Sequence, residues 1–179
     1  MNIKYVNPII REYKQKKNLM KKLKLEKHPI IIMLGGSDYG LELAKKILVL
    51  VRKYKEEFIV FGGTKKISKN HFKFKENFLD YLSVSKGVIT LAGNLTLSES
   101  LAMKKPILAF PIKNHVEQQL NAFLVKDYIN IGDENIEKSL YNFITNLNNI
   151  QKKLNKTSFK RDGAKQVVNL LYKIKRGKK

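Results

Sequence analysis

The sequence predicts an α/β domain in which a parallel sheet carries helices on both faces. Two observations lead to this fold class. From residue 29 onward, short apolar runs alternate with stretches of helical periodicity, and a turn signal follows each run, which is the pattern of βα units. Hydrophobic residues make up 43% of the 179 residues, so a single chain of this length can bury the core that such a sheet needs.

Five apolar runs are predicted as strands. They cover residues 30–34, 57–61, 87–91, 106–110 and 128–131. The predicted helices cover about residues 9–24, 41–54, 76–85, 97–104, 116–126, 134–148 and 163–175. In a parallel sheet the loops that follow the strands converge at the carboxyl edge, where ligands bind. Three loops are therefore candidates for a site, at residues 35–40, 92–96 and 111–116.

The charge is concentrated at the two ends of the chain. The net charge is +21, with nine Lys and Arg in residues 1–28 and eleven in residues 151–179. Such ends attract nucleic acid, anionic lipid or an acidic partner; a solvated lysine-rich surface is the alternative. The chain has no cysteine, and its three histidines lack metal-ligand spacing, so we expect no metal site. We expect a cytoplasmic protein, at most peripheral on a membrane.

The first loop, LGGSDYG, places glycines after a strand and two capping residues before a helix. Gly36 and Ser37 would bring backbone N–H groups and a helix N-terminus to one point, which suits a phosphate. The loop matches neither the Walker pattern nor G-x-G-x-x-G. An ordinary tight turn with a capped helix remains the alternative.

The second loop, AGNLTLSES, repeats this design. Gly93 and Asn94 turn the chain, and Thr96 or a neighbour begins a helix with unpaired N–H groups in its first turn. Two helix N-termini at one edge suit a diphosphate. Glu99 lies one turn into the helix and is either a capping acid or a ligand for a ribose diol.

The third segment, PIKNHVEQQLNAF, contains a dense set of hydrogen-bonding side chains. They are Glu117, Gln118, Gln119 and Asn121, at the start of a helix. Such groups read sugar hydroxyls well. Alone, they are more often solvent-facing polar residues of a helix.

Taken in order, these segments resemble a known family. MLGGSDYG, then the run from NFLDYLS through AGNLTLSES to KPILAFPI, then EQQLNA are similar to the C-terminal, nucleotide-sugar-binding half of GT-B glycosyltransferases. The most similar group is the MurG-like one, with the family 28 C-terminal domain and archaeal relatives. The resemblance covers about residues 5–175. It implies a Rossmann-like sheet forming one half of a GT-B fold, and an inverting transfer from a UDP-sugar, most specifically a UDP-N-acetylhexosamine.

The resemblance also implies roles for individual residues. Gly36 and Ser37, together with the turn at Gly93, would approach the diphosphate, and the backbone of Asn94, Leu95 and Thr96 would close on it. Glu99 would hold the ribose hydroxyls, and Glu117 and Gln118 would contact the transferred sugar. Phe74 falls near the family's uracil pocket, although we expect an ordinary core or surface phenylalanine there. No cofactor or metal is implied beyond the UDP-sugar substrate.

The sequence departs from the family in two ways. Leu91 and Ala92 stand where many members have His or Arg, so one contact to the diphosphate is missing, unless an unidentified lysine supplies it. We also expect the acceptor-binding half and its general base to be missing from this sequence, which would then be a natural split subunit, the product of a truncated gene, or a fragment. No catalytic residue is assigned, because we expect His115 to be a helix-start residue or a sugar contact rather than a base. We therefore expect a separate acceptor-binding domain or subunit and little activity of the chain alone.

This resemblance divides the chain into three expected parts. Residues 1–28 form a basic connection and helix like an interdomain linker, residues 29–150 the nucleotide-sugar-binding domain, and residues 151–179 a basic C-terminal helix on the same domain. Two alternatives stay open, a basic nucleic-acid-binding module, which lacks RNP, KH and helix-turn-helix signatures, and a non-catalytic scaffold for a membrane or partner.

Overall fold

The computed structural model describes residues 3–35 and 40–176. Six strands form one fully parallel sheet in the order β3-β2-β1-β4-β5-β6. They are β1 (Ile30–Met33), β2 (Phe58–Phe61), β3 (His71–Phe72), β4 (Gly87–Thr90), β5 (Ile107–Ala109) and β6 (Asn130–Ile131). This order reverses direction between β1 and β4, as in doubly wound α/β folds. The predicted fold class, a Rossmann-like parallel sheet, is confirmed.

Seven α-helices connect or flank the strands within the described part of the chain. They are α1 (Leu19–Lys22), α2 (Leu41–Leu50), α3 (Phe78–Val84), α4 (Asn94–Ala102), α5 (Val116–Leu124), α6 (Ile136–Asn155) and α7 (Gly163–Arg176). None of these helices has the length and apolar character that crossing a membrane requires. The helix α6 begins where the side chain of Asn135 accepts a hydrogen bond from the Lys138 N–H at 3.0 Å, a standard N-cap.

Side chains alternate between the two faces of the sheet, and each face is covered by different helices. Along β1, Ile30 and Ile32 pack with α2 and α6, whereas Ile31 packs with α3. On the face of Ile31, the helices α4 and α5 cover β5 through Ile107 and Ala109. Because both faces are buried, the strands are nearly continuous apolar runs. The predicted helices on both faces are therefore present.

The predicted helix over residues 9–24 is wrong for most of its length. Only α1, at its end, is helical, and residues 3–16 have no regular secondary structure. This segment is held at separate points: the Asn7 N–H donates to Gln166 Oε1 at 2.8 Å, and the Tyr13 hydroxyl donates to Ser83 Oγ at 2.9 Å. Its hydrogen bonds are therefore made to distant parts of the chain and not within a helical turn.

Two further elements differ from the sequence expectation. The edge strand β3 was not predicted, because it contains two residues in a lysine-rich run and depends on pairing with Val60 and Phe61 of β2. The helix α6 continues to Asn155 instead of ending near residue 148, since Leu147 and Leu154 extend its buried stripe.

Candidate functional site

Two glycine-containing turns lie at the switch point of the sheet, where β1 and β4 are neighbours. Gly35 follows β1 with φ +75°, and Gly93 follows β4. A Cβ built on either residue would meet no described atom within 4 Å, so both backbones are open to close approach by a ligand. Gly36 and Ser37, the predicted phosphate contacts of the first turn, lie outside the described residues.

The second turn leads directly into α4. Gly93 is the N-cap, and the Leu97 N–H makes the first intrahelical bond, to Gly93 O at 3.0 Å. Asn94, Leu95 and Thr96 therefore form the first turn, where the helix offers its own N–H groups no acceptor. The helix begins at Asn94, slightly earlier than predicted.

Leu91 and Ala92, which stand where many members of the resembled family have His or Arg, pack against neighbouring parts of the fold. Leu91 is buried, and a Cβ on Gly40 would stand 2.8 Å from its Cδ1. This contact places the start of α2 against the turn after β4. Ala92 is fully buried at φ 65°, a left-handed conformation that alanine rarely adopts. A long basic side chain at either position would have to displace α2 or the turn.

Glu99 lies on α4 with a side chain only 2% exposed, and it is paired with Arg11. The Arg11 Nε donates to Glu99 Oε1 at 2.6 Å, and Nη2 donates to Oε2 at 2.9 Å. This is the two-pronged geometry that arginine makes with carboxylates. The hydrogen bond that Arg11 donates to Glu99 raises the pKa of Arg11 above its ordinary value. Glu99 is therefore not a capping acid, because its oxygens bond to a side chain from a distant part of the sequence.

The start of α5 lies beside the second turn. The Asn121 Nδ2 donates to Ala92 O at 3.2 Å and stands 3.5 Å from Glu117 Oε1. The Ile112 N–H donates to the Gln118 Oε1 at 3.0 Å, which fixes the loop before the helix. The predicted polar cluster is thus brought to the same edge as Gly93, with Glu117 exposed and Gln118 half-buried. His115, at the N-cap of α5, is exposed.

A cavity of about 260 Å³ opens beside the first turn. Its apolar floor is Met33, Phe61 and Phe78, and its rim contains Arg11, Gly35, Gly62, Lys73, Phe74 and Lys75. Phe74 is 78% exposed, so of the two expected positions, core or surface, it has the surface one, and its ring is open to solvent at the cavity rim. An exposed aromatic ring beside cations suits a stacked base.

Arg11 is the site residue that the sequence pattern did not indicate. It lines the cavity and also bonds to Glu99, so it connects the first turn to α4. One signal was available: Arg11 is one of four arginines among 36 basic residues, and arginine is favoured over lysine for a two-pronged contact with a carboxylate. The sequence gives no indication of which acid it meets, 88 positions away.

Comparisons with known proteins identify the family to which the chain belongs. The family described as glycosyl transferase family 1 matches residues 39–148. An uncharacterised glycosyltransferase of Methanopyrus kandleri is 31% identical over 99 residues, covering 52% of this chain and 29% of that protein. One of Methanosarcina acetivorans is 28% identical over 134 residues, covering 69% of this chain and 34% of that protein. The chain thus spans about a third of the length of these relatives.

Solved structures with the same fold are glycosyltransferases. The Phytolacca americana UGT2 complexed with UDP-2-fluoro-glucose and pterostilbene superposes with a TM-score of 0.63 at 14% identity, covering 94% of this chain and 46% of that one. The calicheamicin glycosyltransferase CalG4 has a TM-score of 0.57 at 12% identity, covering 84% and 41%. At this identity the likeness concerns the fold, which is that of one half of a GT-B enzyme.

The pair of Arg11 and Glu99 should stabilise the protein measurably. Replacing Arg11 by Ala leaves a buried carboxylate without its partner, and we expect a loss of about 2 kcal/mol, less than for a fully buried pair because the arginine is half-exposed. Urea unfolding of Arg11→Ala, Glu99→Gln and the double variant would give their coupling. As a control, Lys45 and Glu42 form an ion pair on the surface of α2 and should show no measurable coupling. Additive effects of the Arg11 and Glu99 substitutions would contradict the assignment.

Proposed function

Because the chain belongs to glycosyl transferase family 1, we propose that it is the nucleotide-sugar-binding half of an inverting glycosyltransferase whose donor is a UDP-sugar. The observation that carries the proposal is the position of Arg11, which joins the aromatic cavity to the buried acid of α4. The edge of the sheet offers one group for each part of a UDP-sugar. The cavity suits the base and Glu99 suits the ribose, while the Gly93 turn suits the diphosphate and the start of α5 suits the sugar.

The base binds in the cavity beside the first turn. Phe74 stacks on it from the rim, and Met33, Phe61 and Phe78 form the apolar floor. A flat, exposed ring is worth about 1–3 kcal/mol per stacked base. Gly35 and Gly62 keep the opposite wall free of side chains, so the base and the first phosphate lie close to the backbone.

The ribose binds at Glu99, and Arg11 regulates access to it. Both carboxylate oxygens already accept from Arg11, but each oxygen has a second lone pair. The ribose diol therefore either shares the carboxylate with the guanidinium or displaces one of its two bonds. A carboxylate kept ionised and oriented by an arginine is a strong acceptor for two neighbouring hydroxyls.

The diphosphate binds between the two turns. The first-turn N–H groups of α4 and the helix dipole favour an anion there, and Gly36 and Ser37 contribute from the other turn. Lys73 and Lys75, on the cavity rim, provide the positive charge that Leu91 and Ala92 do not. Their charge and the N–H groups stabilise the leaving UDP as negative charge develops on its terminal phosphate.

The transferred sugar lies against the start of α5. Glu117 and Gln118 contact its hydroxyls, and Asn121 holds Glu117 against the Ala92 turn. The MurG-like order Gly93-x-x-Thr96-x-x-Glu99, followed by Glu117-Gln118-x-x-Asn121-Ala122, favours a UDP-N-acetylhexosamine as donor. No cofactor and no metal take part in this scheme.

The acceptor and the general base come from a separate domain or subunit. An acceptor hydroxyl attacks the anomeric carbon as the bond to the terminal phosphate oxygen breaks, which inverts the centre, and the hydroxyl proton passes to the base of the partner. The chain spans about a third of its relatives, which leaves ample length in them for an acceptor half.

The described part of α7 carries exposed apolar side chains, Leu171, Tyr172 and Ile174, beside lysines, and this helix rests on an anionic membrane surface near the acceptor.

A ribose contact at Glu99 should be visible in ligand affinity. Isothermal titration with UDP and with its 2′,3′-dideoxy analogue should show at least tenfold weaker binding of the analogue to the wild type, because two charge-assisted hydrogen bonds are lost. In Glu99→Gln the difference between the two ligands should shrink to about threefold. An unchanged difference in that variant would exclude Glu99 as the ribose ligand, whatever its effect on stability.

Stacking on Phe74 gives an independent prediction. Phe74→Ala should weaken UDP binding about tenfold, corresponding to the lower part of the stacking range, while leaving inorganic pyrophosphate binding unchanged. Phe123→Ala is the matched control, since Phe123 is a 60% exposed phenylalanine on α5, away from the cavity. Equal effects of the two variants on UDP affinity would refute the proposed base site.

The dependence on a partner is tested with the purified chain. Incubated with UDP-N-acetylglucosamine and vesicles that contain a lipid-linked sugar as acceptor, which offers free hydroxyls, it should sediment with vesicles rich in anionic lipid, release from them at high salt, and yet transfer no sugar. Robust turnover would contradict the need for a second half. Salt-sensitive binding of an oligonucleotide with no binding of UDP would favour the nucleic-acid alternative.

A further inference from the structure

His71 is a buried histidine whose two ring nitrogens are both hydrogen-bonded. It is 4% exposed. The Ile67 N–H donates to Nδ1 at 3.0 Å, and Nε2 stands 2.6 Å from Gly62 O. An amide N–H can only donate and a carbonyl can only accept, so Nδ1 is unprotonated and Nε2 carries the proton. The ring is therefore a neutral imidazole that donates on one side and accepts on the other.

One of these hydrogen bonds reaches the side of the cavity that Gly35 and Gly62 form, which we call the glycine wall. Gly62 and the following Gly63 have φ +91° and +72°, and the Gly63 N–H donates to Gly35 O at 2.9 Å. A Cβ on Gly62 would stand 2.3 Å from Gly35 O, so only glycine permits this contact. The imidazole thus fixes the carbonyl of Gly62, and the Gly62–Gly63 turn in turn fixes Gly35.

The hydrogen bond on the other side of His71 lies close in sequence to Phe74, whose ring we call the aromatic wall of the cavity. The bond from Ile67 closes the loop that precedes β3, and the Gly62 N–H donates to Phe72 O at 3.0 Å. Phe74 follows two residues later on the cavity rim. A single buried ring therefore connects the backbone before Phe74 to the backbone that carries Gly62.

We propose that His71 is a positioning residue for nucleotide binding, which sets the distance between the glycine wall at Gly35 and the aromatic wall at Phe74. It touches neither base nor phosphate. The neutral imidazole holds the two walls at the spacing that lets one ligand stack on Phe74 while its phosphates lie at the Gly35 turn. This inference rests on the proposed function, because it concerns the affinity of that same site.

The alternative is a histidine that only stabilises the fold, and three variants separate the two roles. His71→Leu fills the volume and removes both bonds. His71→Gln restores both, because its amide oxygen and nitrogen share one carbon as the two ring nitrogens share Cε1. His71→Asn can accept from Ile67 but is too short to reach Gly62 O. Phe143→Ala serves as a control, since Phe143 is buried at the amino end of β4, beside Gly87, opposite the site.

The experiment compares binding of UDP, uridine and pyrophosphate by titration, with urea unfolding of each variant. We expect His71→Leu and His71→Asn to bind UDP at least tenfold more weakly, uridine and pyrophosphate no more than threefold more weakly, and His71→Gln to bind UDP within threefold of the wild type. Phe143→Ala should be destabilised yet bind UDP normally.

Several results would overturn the proposal. They are wild-type UDP affinity in His71→Asn, no recovery in His71→Gln, or equal losses for UDP and for its two fragments. If His71→Leu does not fold, His71→Asn and His71→Gln still decide the question. A wild-type chain that does not bind UDP would instead refute the proposed function itself.

Discussion

The pairing of a buried acid with a distant arginine determines how the site is assembled. Glu99 is 2% exposed, and an ionised carboxylate in such surroundings needs a partner that satisfies its oxygens. Arg11 does so, and in doing so holds the N-terminal segment across the face of the domain. Lys16 makes a similar contact with the buried Asp80 at 2.9 Å. The irregular course of residues 3–16 is accompanied by these contacts with distant parts of the chain.

Left-handed backbone conformations recur at the same edge as the charged pair. Gly35, Gly62, Gly63 and Ala92 all have positive φ and lie just after β1, β2 and β4. Alanine in this conformation costs on the order of 1 kcal/mol, and the surrounding packing of Ala92 sustains it. Residues held in unfavourable conformations commonly mark sites that are organised before a ligand arrives. The edge therefore presents its N–H groups and open glycine surfaces without needing to rearrange its backbone.

The sequence was sufficient to predict the layered fold but not the edge strand and the long-range contacts that complete the site. The strands β1, β2, β4 and β5 could be predicted because both faces of the sheet are buried, which makes each strand a continuous apolar run. The turn at Gly93 and the start of α4 could also be predicted, because the turn residues and the helix-start residues that form them are adjacent in the sequence. The strand β3 was not, because His71 and Phe72 are extended only through pairing with β2 and contacts such as that of Phe72 with Phe61, whose ring centroids are 5.6 Å apart.

The same limit applies to individual site residues. That Glu117 and Asn121 lie near the Gly93 turn follows from the βα order, since successive loops share one edge. That Arg11 meets Glu99 does not follow, because the contact joins positions 88 apart and depends on a segment that has no regular secondary structure, although its sequence predicted a helix. Phe74 was expected to be an ordinary core or surface phenylalanine, because the cavity at whose rim it lies is formed with residues that are distant in the sequence, such as Arg11 and Met33.

The pairing also explains how an acid can lie beside a proposed phosphate site in a chain of net charge +21. An unpaired Glu99 would repel a diphosphate at the Gly93 turn. With Arg11 bound, the pair has no net charge, and the helix N-terminus and the lysines on the cavity rim then determine the sign of the local field. The guanidinium has five N–H groups, and Nε and Nη2 supply the two bonds to Glu99. Its remaining N–H groups give it the means to bind a phosphate oxygen without releasing the acid, so one side chain can neutralise Glu99 and attract the group that Glu99 would otherwise repel.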